Sequence, residues 1–161
     1  MENYTMEGRT YRYYGREAPL YPFGYGLSYT TFHYRDLVLS PTVLPICANL
    51  SVSVVLENTG PRDSEEVVQL YLCWEQPSVP VPRWQLVAFR RVALRAGGAT
   101  KLSFGVLAAQ RAVWTQQWQL EPGTFTLFAG GQQPRQQTRA PSEVLSVGFS
   151  VTGAARALHS C

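Results

Sequence analysis

The chain is 161 residues long, 45% hydrophobic and 16% charged, with a formal net charge of +3, which is enough for one good core and too little for two ordinary ones. Of its 14 basic residues all but Lys101 are arginines, scattered from Arg9 to Arg156, so no basic patch points to nucleic acid. No apolar run is long enough for a membrane-crossing helix and no charged start followed by an apolar stretch marks a signal peptide, so neither a membrane nor nucleic acid is expected as a partner.

The first region, Gly8 to Phe32, reads GRTYRYYGREAPLYPFGYGLSYTTF, and half of the chain's aromatic residues fall within its first 34 positions. Pro19, Pro22, Gly24 and Gly26 interrupt the backbone too often for a strand or a helix to persist. Yet Tyr13, Tyr14, Tyr21, Phe23, Tyr25 and Tyr29 carry large rings, whose joint burial is worth on the order of several kcal/mol. These six are the candidate interface residues of an irregular ribbon. It is expected to dock either on the rest of this chain, capping one side of it, or on a separate domain.

From Phe32 onward the apolar period is 2: Leu37 and Leu39; then Leu50, Val52, Val54 and Leu56; then Val68, Leu70, Leu72 and Trp74. The turn-rich connection Asn58-Thr59-Gly60-Pro61-Arg62-Asp63 predicts that the second and third runs pair as an antiparallel hairpin, with Leu56 opposite Val68 and Leu50 opposite Trp74. That register sets Cys73 against Ser51 and leaves Cys47 beyond its reach. After a proline-broken loop from Gln76 to Pro82, the spacing slips between Leu86 and Leu94, predicting a bulge near Arg90. Gly97-Gly98 leads into a strand with Leu102, Phe104 and Val106, and Trp114 and Trp118 flank a short polar turn. Pro122-Gly123 opens a strand through Phe125 and Leu127 to Gly130-Gly131. A glutamine-rich loop from Gln132 to Gln137 precedes the last strand, with Leu145, Val147, Phe149 and Val151. About seven strands at regular spacing with no convincing helix predict an all-β, immunoglobulin-like (fibronectin type III-like) sandwich. Residues 153–161 carry no pattern and are expected to form a disordered tail.

Cys47, Cys73 and Cys161 are widely spaced, with no CxxC and with one His, His159, close to the last of them alone, so no metal site is expected and the thiols are read as free. Asn3-Tyr4-Thr5 and Asn49-Leu50-Ser51 are glycosylation sequons, making Asn3 and Asn49 candidate acceptors and hinting at a secretory ancestry.

With the strands laid out, GRTYRYYG, PLYPFGYGLSYTTF, VSVVLENTG, EEVVQLYL, LVAFRRVALRAGG and EPGTFTLFAGG, in that order, resemble the C-terminal region of glycoside hydrolase family 3, the β-glucosidases and β-xylosidases. The resemblance runs roughly from Gly8 to Gly131, and the joint occurrence of the motifs makes it specific. It implies that residues 1–31 are an interdomain linker at the end of a preceding α/β domain, that 32–152 form a fibronectin type III-like domain, and that 153–161 trail from it. It further implies a non-catalytic accessory domain that packs against and stabilises the catalytic domains of such a hydrolase, in a family whose members are often secreted. In that family the nucleophilic Asp and the acid/base Glu lie in the domains that precede this region, so no catalytic residue is carried over and no cofactor is expected. Two positions depart from the family pattern: Ser64 stands where a small Gly-like turn residue is usual, and Gly131-Gln132 replaces small hydroxyl residues. Met1 to Glu7 suggests the β-xylosidase branch.

Two other readings stand beside this one. In a free-standing module that binds carbohydrate or a protein, Trp84, Trp114 and Trp118 would stack on the partner, although Trp118 reads more naturally as a packed hairpin residue. In a hydrolase acting by itself, two carboxyl groups would have to stand about 5 to 5.5 Å apart. Asp36, Asp63, Glu65 and Glu66 read instead as solvated charges, and neither His33 nor His159 has a nucleophile and base around it.

Overall fold

A computed structural model describes residues 5–14, 19–135 and 143–161. In chain order its elements are α1 (Thr10–Tyr13), β1 (Phe32–Ser40), β2 (Val43–Pro45), β3 (Leu50–Asn58), β4 (Ser64–Trp74), β5 (Gln85–Leu94), β6 (Ala99–Val106), β7 (Val113–Trp114), β8 (Trp118–Leu120), β9 (Gly123–Gly130), β10 (Val144–Thr152) and β11 (Arg156–Ala157), with 3-10 turns at Ala108–Arg111 and Leu158–Ser160. The seven long strands are the ones the period-2 pattern predicts, and the fold is an all-β sandwich. A three-stranded sheet, β1-β3-β6, faces a five-stranded sheet, β2-β10-β9-β4-β5, and a small third sheet, β11-β8-β7, closes one end.

Alternation decides which side chains meet between the sheets. Leu50, Val52, Val54 and Leu56 of β3 are buried, and so are Val68, Leu70 and Leu72 of β4, Phe125 and Leu127 of β9, and Phe149 and Val151 of β10. Stacked rings of Trp74, Phe125 and Phe149 continue this core, with centroids 5.3 Å apart in each pair.

The predicted hairpin between β3 and β4 does not form. β3 pairs with β1 and β6, while β4 pairs with β5 and β9, so the two runs face one another across the core instead of lying side by side. A shared apolar face is compatible with both arrangements. The arch between the sheets is organised by the fully buried Asn58. Its Nδ2 donates to Arg62 O at 2.7 Å and to Leu94 O at 3.2 Å, and its Oδ1 accepts from Thr30 Oγ1 at 2.6 Å and from Gly60 N at 3.2 Å. Every hydrogen-bonding site on that buried amide is thereby used.

Three further expectations are corrected. The bulge in β5 lies at Val87, between Leu86 and Ala88, and not near Arg90; the extra residue turns Val87 into the core. A second irregularity sits in β1 at Asp36 and Leu37, where Asp36 adopts φ 54°, a conformation that Asp tolerates better than most residues. The tail after Gly153 is not loose: β11 pairs with β8, Leu158 packs on the core, and Cys161 is disulfide-bonded to Cys47, so only Cys73 is a free thiol.

The aromatic ribbon and a tryptophan groove as candidate binding surfaces

The centre of β4, Val68 to Leu72, is buried on both faces. Its inward residues belong to the sandwich core, while Gln69 and Tyr71 point to the outer face of the five-stranded sheet. There the N-terminal ribbon lies down. Tyr11 stacks on Phe23 with centroids 4.0 Å apart and meets Tyr71 edge-on at 6.3 Å. Tyr71, Trp84 and Phe128 form a second apolar cluster beneath it, with the Arg135 guanidinium over both Trp84 and Phe128.

Polar contacts fasten the ribbon at defined points. Tyr71 OH donates to Gln69 Oε1 at 2.6 Å, and Gln69 Nε2 donates to Gly24 O and Gly131 O, each at 2.9 Å. Gln133 donates from its backbone N to Phe23 O at 2.8 Å and from Nε2 to Tyr11 O at 3.1 Å. Burial holds the Tyr71 phenol above its ordinary pKa, with the neighbouring Tyr11 adding to the shift, so it stays a neutral donor. Gly24 has φ +81°, and a Cβ on it would stand 2.0 Å from Gln69 Oε1, so both backbone freedom and close approach demand glycine there.

What this anchoring leaves uncovered is apolar. Leu20 is 64% exposed, Tyr21 57%, Leu27 84% and Tyr29 92%. Of the six predicted interface residues, Tyr21, Phe23 and Tyr29 are exposed, Tyr13, Tyr14 and Tyr25 are half-buried, and Tyr25 stacks on Tyr21 at 5.4 Å. The reading from sequence missed Tyr11, the ring that pins the ribbon, and the two leucines of the exposed strip. Beside the strip, Glu66 accepts from Tyr34 OH at 3.0 Å. It is not a solvated charge, because burial raises its pKa against the lowering effect of that hydrogen bond. His33 Nδ1 lies 2.7 Å from Glu143 Oε2. Asp63 caps Ala96 N at 2.9 Å and Glu65 pairs with Arg91, and neither stands in a catalytic pair.

The tryptophans separate. Trp84 is only 3% exposed and forms part of the second cluster, so it cannot serve as a stacking platform. Trp118, expected to be packed, is 54% exposed, and its cross-strand partner Trp114 is 59% exposed. The two rings meet at 5.5 Å and 74°. They form the rim of a groove of about 370 Å³ between the third sheet, the start of β5 and α1. Of the two sequons, Asn49 is exposed, with its Oδ1 accepting from Ala108 N at 2.9 Å; Asn3 lies outside the described residues. Among the described residues, no helix is long and apolar enough to cross a membrane and no group of three or more His, Cys, Asp or Glu could hold a metal.

Residues 66–133 match the fibronectin type III-like domain family. Over 129 residues, 78% of this chain, the sequence is 38% identical to the periplasmic β-glucosidase of Salmonella typhimurium, and over 116 residues, 71% of this chain, it is 37% identical to a β-xylosidase of Formosa agariphila. The domain is fibronectin type III-like, of the kind carried by family 3 β-glucosidases and β-xylosidases. This fibronectin type III-like chain spans only 17% and 16%, respectively, of the length of those two relatives. Solved structures agree. β-Glucosidase 3B of Thermotoga neapolitana superposes with a TM-score of 0.72 at 31% identity, and the β-glucosidase of Listeria innocua with 0.73 at 29%. The match covers 86% and 84% of this chain and 18% of each enzyme. A fibronectin type III-like domain is non-catalytic, and this one matches only a small part of those enzymes, as an accessory domain does.

Proposed function

We propose that this domain is the accessory part of a family 3 β-glucosidase or β-xylosidase, and that the strip of Leu20, Tyr21, Leu27 and Tyr29 packs against a catalytic domain of that enzyme. The observation that carries this reading is the combination of rigid anchoring and exposure. The buried Gln69, Tyr71 and Gln133 hold the ribbon backbone in place, yet Leu20, Tyr21, Leu27 and Tyr29 face solvent. Four large apolar side chains left exposed on one short anchored segment mark an interaction site. Burying four such side chains would contribute on the order of several kcal/mol, enough for an intramolecular domain contact that needs no second binding partner in solution. Hydrolysis would then belong to the catalytic domains, with this domain stabilising them. Carbohydrate as a direct ligand would use a different surface, the tryptophan-rimmed groove.

Sedimentation velocity over a concentration series, with an apolar dye on the same samples, tests the docking strip. Self-association and dye binding that both disappear in a Leu20→Ser, Tyr21→Ser, Leu27→Ser, Tyr29→Ser variant of unchanged stability are the expected result. A compact monomer without dye signal would overturn the reading.

A further inference from the structure

We propose that the groove rimmed by Trp114 and Trp118 is a binding site for a β-linked pyranose oligosaccharide. The site lies apart from the ribbon's exposed strip, and the argument does not depend on that strip docking. Its volume of about 370 Å³ falls within the roughly 300–1,000 Å³ of ordinary small-molecule sites. The rim supplies two exposed indoles set at 74° to one another, a corner in which the apolar face of a sugar ring can lie on one indole while the other borders its edge.

The polar character of the lining selects the ligand. Four buried side-chain atoms lack a hydrogen-bond partner among the described residues, and three of them are donors on residues that line this groove: Arg12 Nε, Trp74 Nε1 and Arg111 Nε. Among the described residues no Asp or Glu lines it. Buried donors without acceptors are uncommon in native structures and call for an occupant or an adjustment that satisfies them. Arg111 already spends its Nη2 on the carbonyls of Ile46 and Ala48, and Trp74 Nε1 is closed in by Gly123. Arg12, on α1, is therefore the cation left for a ligand, with Gln85 as a neutral polar neighbour. An occupant that fits must offer many acceptors together with flat apolar faces. A pyranose chain has both, since its hydroxyl oxygens accept from guanidinium and amide donors while its axial C–H faces stack on indole. β-Linkage keeps successive rings extended enough to pass from the tryptophan corner towards Arg12.

The test is a titration of the whole 161-residue chain with a β-1,4-linked glucose hexamer and, separately, a β-1,4-linked xylose hexamer, read by intrinsic tryptophan fluorescence against glycerol at matched hydroxyl concentration. A saturable change with at least one hexamer is expected, weakened about tenfold or more in both Trp118→Ala and Arg12→Ala and unaltered in Tyr29→Ser. Trp118 is exposed and the Arg12 backbone carbonyl keeps its bond from Arg83 N in either variant, so circular dichroism should show an unchanged fold. The absence of a saturable response to both hexamers up to about 10 mM would overturn the proposal, as would binding that survives either substitution unweakened.

Discussion

Leu70 and Tyr71 are neighbours on β4, and their side chains leave the strand in opposite directions into two kinds of packing. On the inner side, Leu70 joins aliphatic and aromatic residues from both sheets, where many small contacts share the load. On the outer side, Tyr71 joins Trp84, Phe128 and Tyr11 under a ribbon whose backbone is fastened by a few glutamine and tyrosine hydrogen bonds. The inner face illustrates hydrophobic burial, which is diffuse and proportional to area. The outer face illustrates polar fastening, in which a single unpaired group costs more than its bond contributes.

Substitutions should expose that contrast. Leu70→Ala, which opens a cavity at a fully buried site, should cost about 2–5 kcal/mol in urea unfolding, the largest effect expected here. Cys161→Ser frees the C-terminal tail from its covalent tie to Cys47, with a loss of about 2–4 kcal/mol that reducing agent should reproduce in the parent chain. Gln69→Ala strands Tyr71 OH and the Gly131 carbonyl, so a loss of about 1–3 kcal/mol is expected, together with faster amide exchange at Phe23 to Tyr25 while β3 stays protected. If exchange instead rises uniformly, the ribbon and the sandwich unfold as one unit and the contrast between the faces fails.

A pH experiment makes a subtler distinction. The folded pKa of Glu66 is raised by burial, so the folded state holds that proton where the unfolded chain has lost it. Stability from this group is therefore fully present below the ordinary carboxylate pKa and falls as pH rises through the folded value. Glu66→Gln should flatten that part of the melting profile, leaving little difference from the parent at the acidic end. Tyr29→Ser is the smallest case: at 92% exposure it should alter the stability of the isolated domain by no more than about 0.5 kcal/mol, while removing much of the apolar-dye signal.

The alternation in Leu50 to Leu56 and in Val68 to Trp74 was sufficient to identify the buried face of β3 and β4, because side-chain direction along a strand is set locally. Their partners were not legible. Whether the turn-rich stretch after Asn58 makes a hairpin or an arch depends on what a single amide touches across the molecule. The Cys47–Cys161 bond, closing a separation of 114 residues, leaves no trace in spacing, and without it the tail looked unattached. Trp118 was misjudged for a related reason: the hairpin was foreseen, but which of its faces meets the body depends on the third sheet. The ribbon's docking character was readable from composition alone, whereas its footing was hidden because Gln69 and Gln133 resemble ordinary surface residues until the neighbouring carbonyls are in place.

Asn58 joins three things at one point: Thr30 at the ribbon's end, Arg62 in the arch between the sheets, and Leu94 at the end of β5. Mechanically it is a gusset. A torque applied to the ribbon reaches the sandwich at the seam where its two sheets are already tied, and is shared between them instead of peeling β1 from its edge. A displacement of the ribbon is then resisted by both sheets together, which makes the ribbon a stiff lever on the sandwich and not a loose appendage.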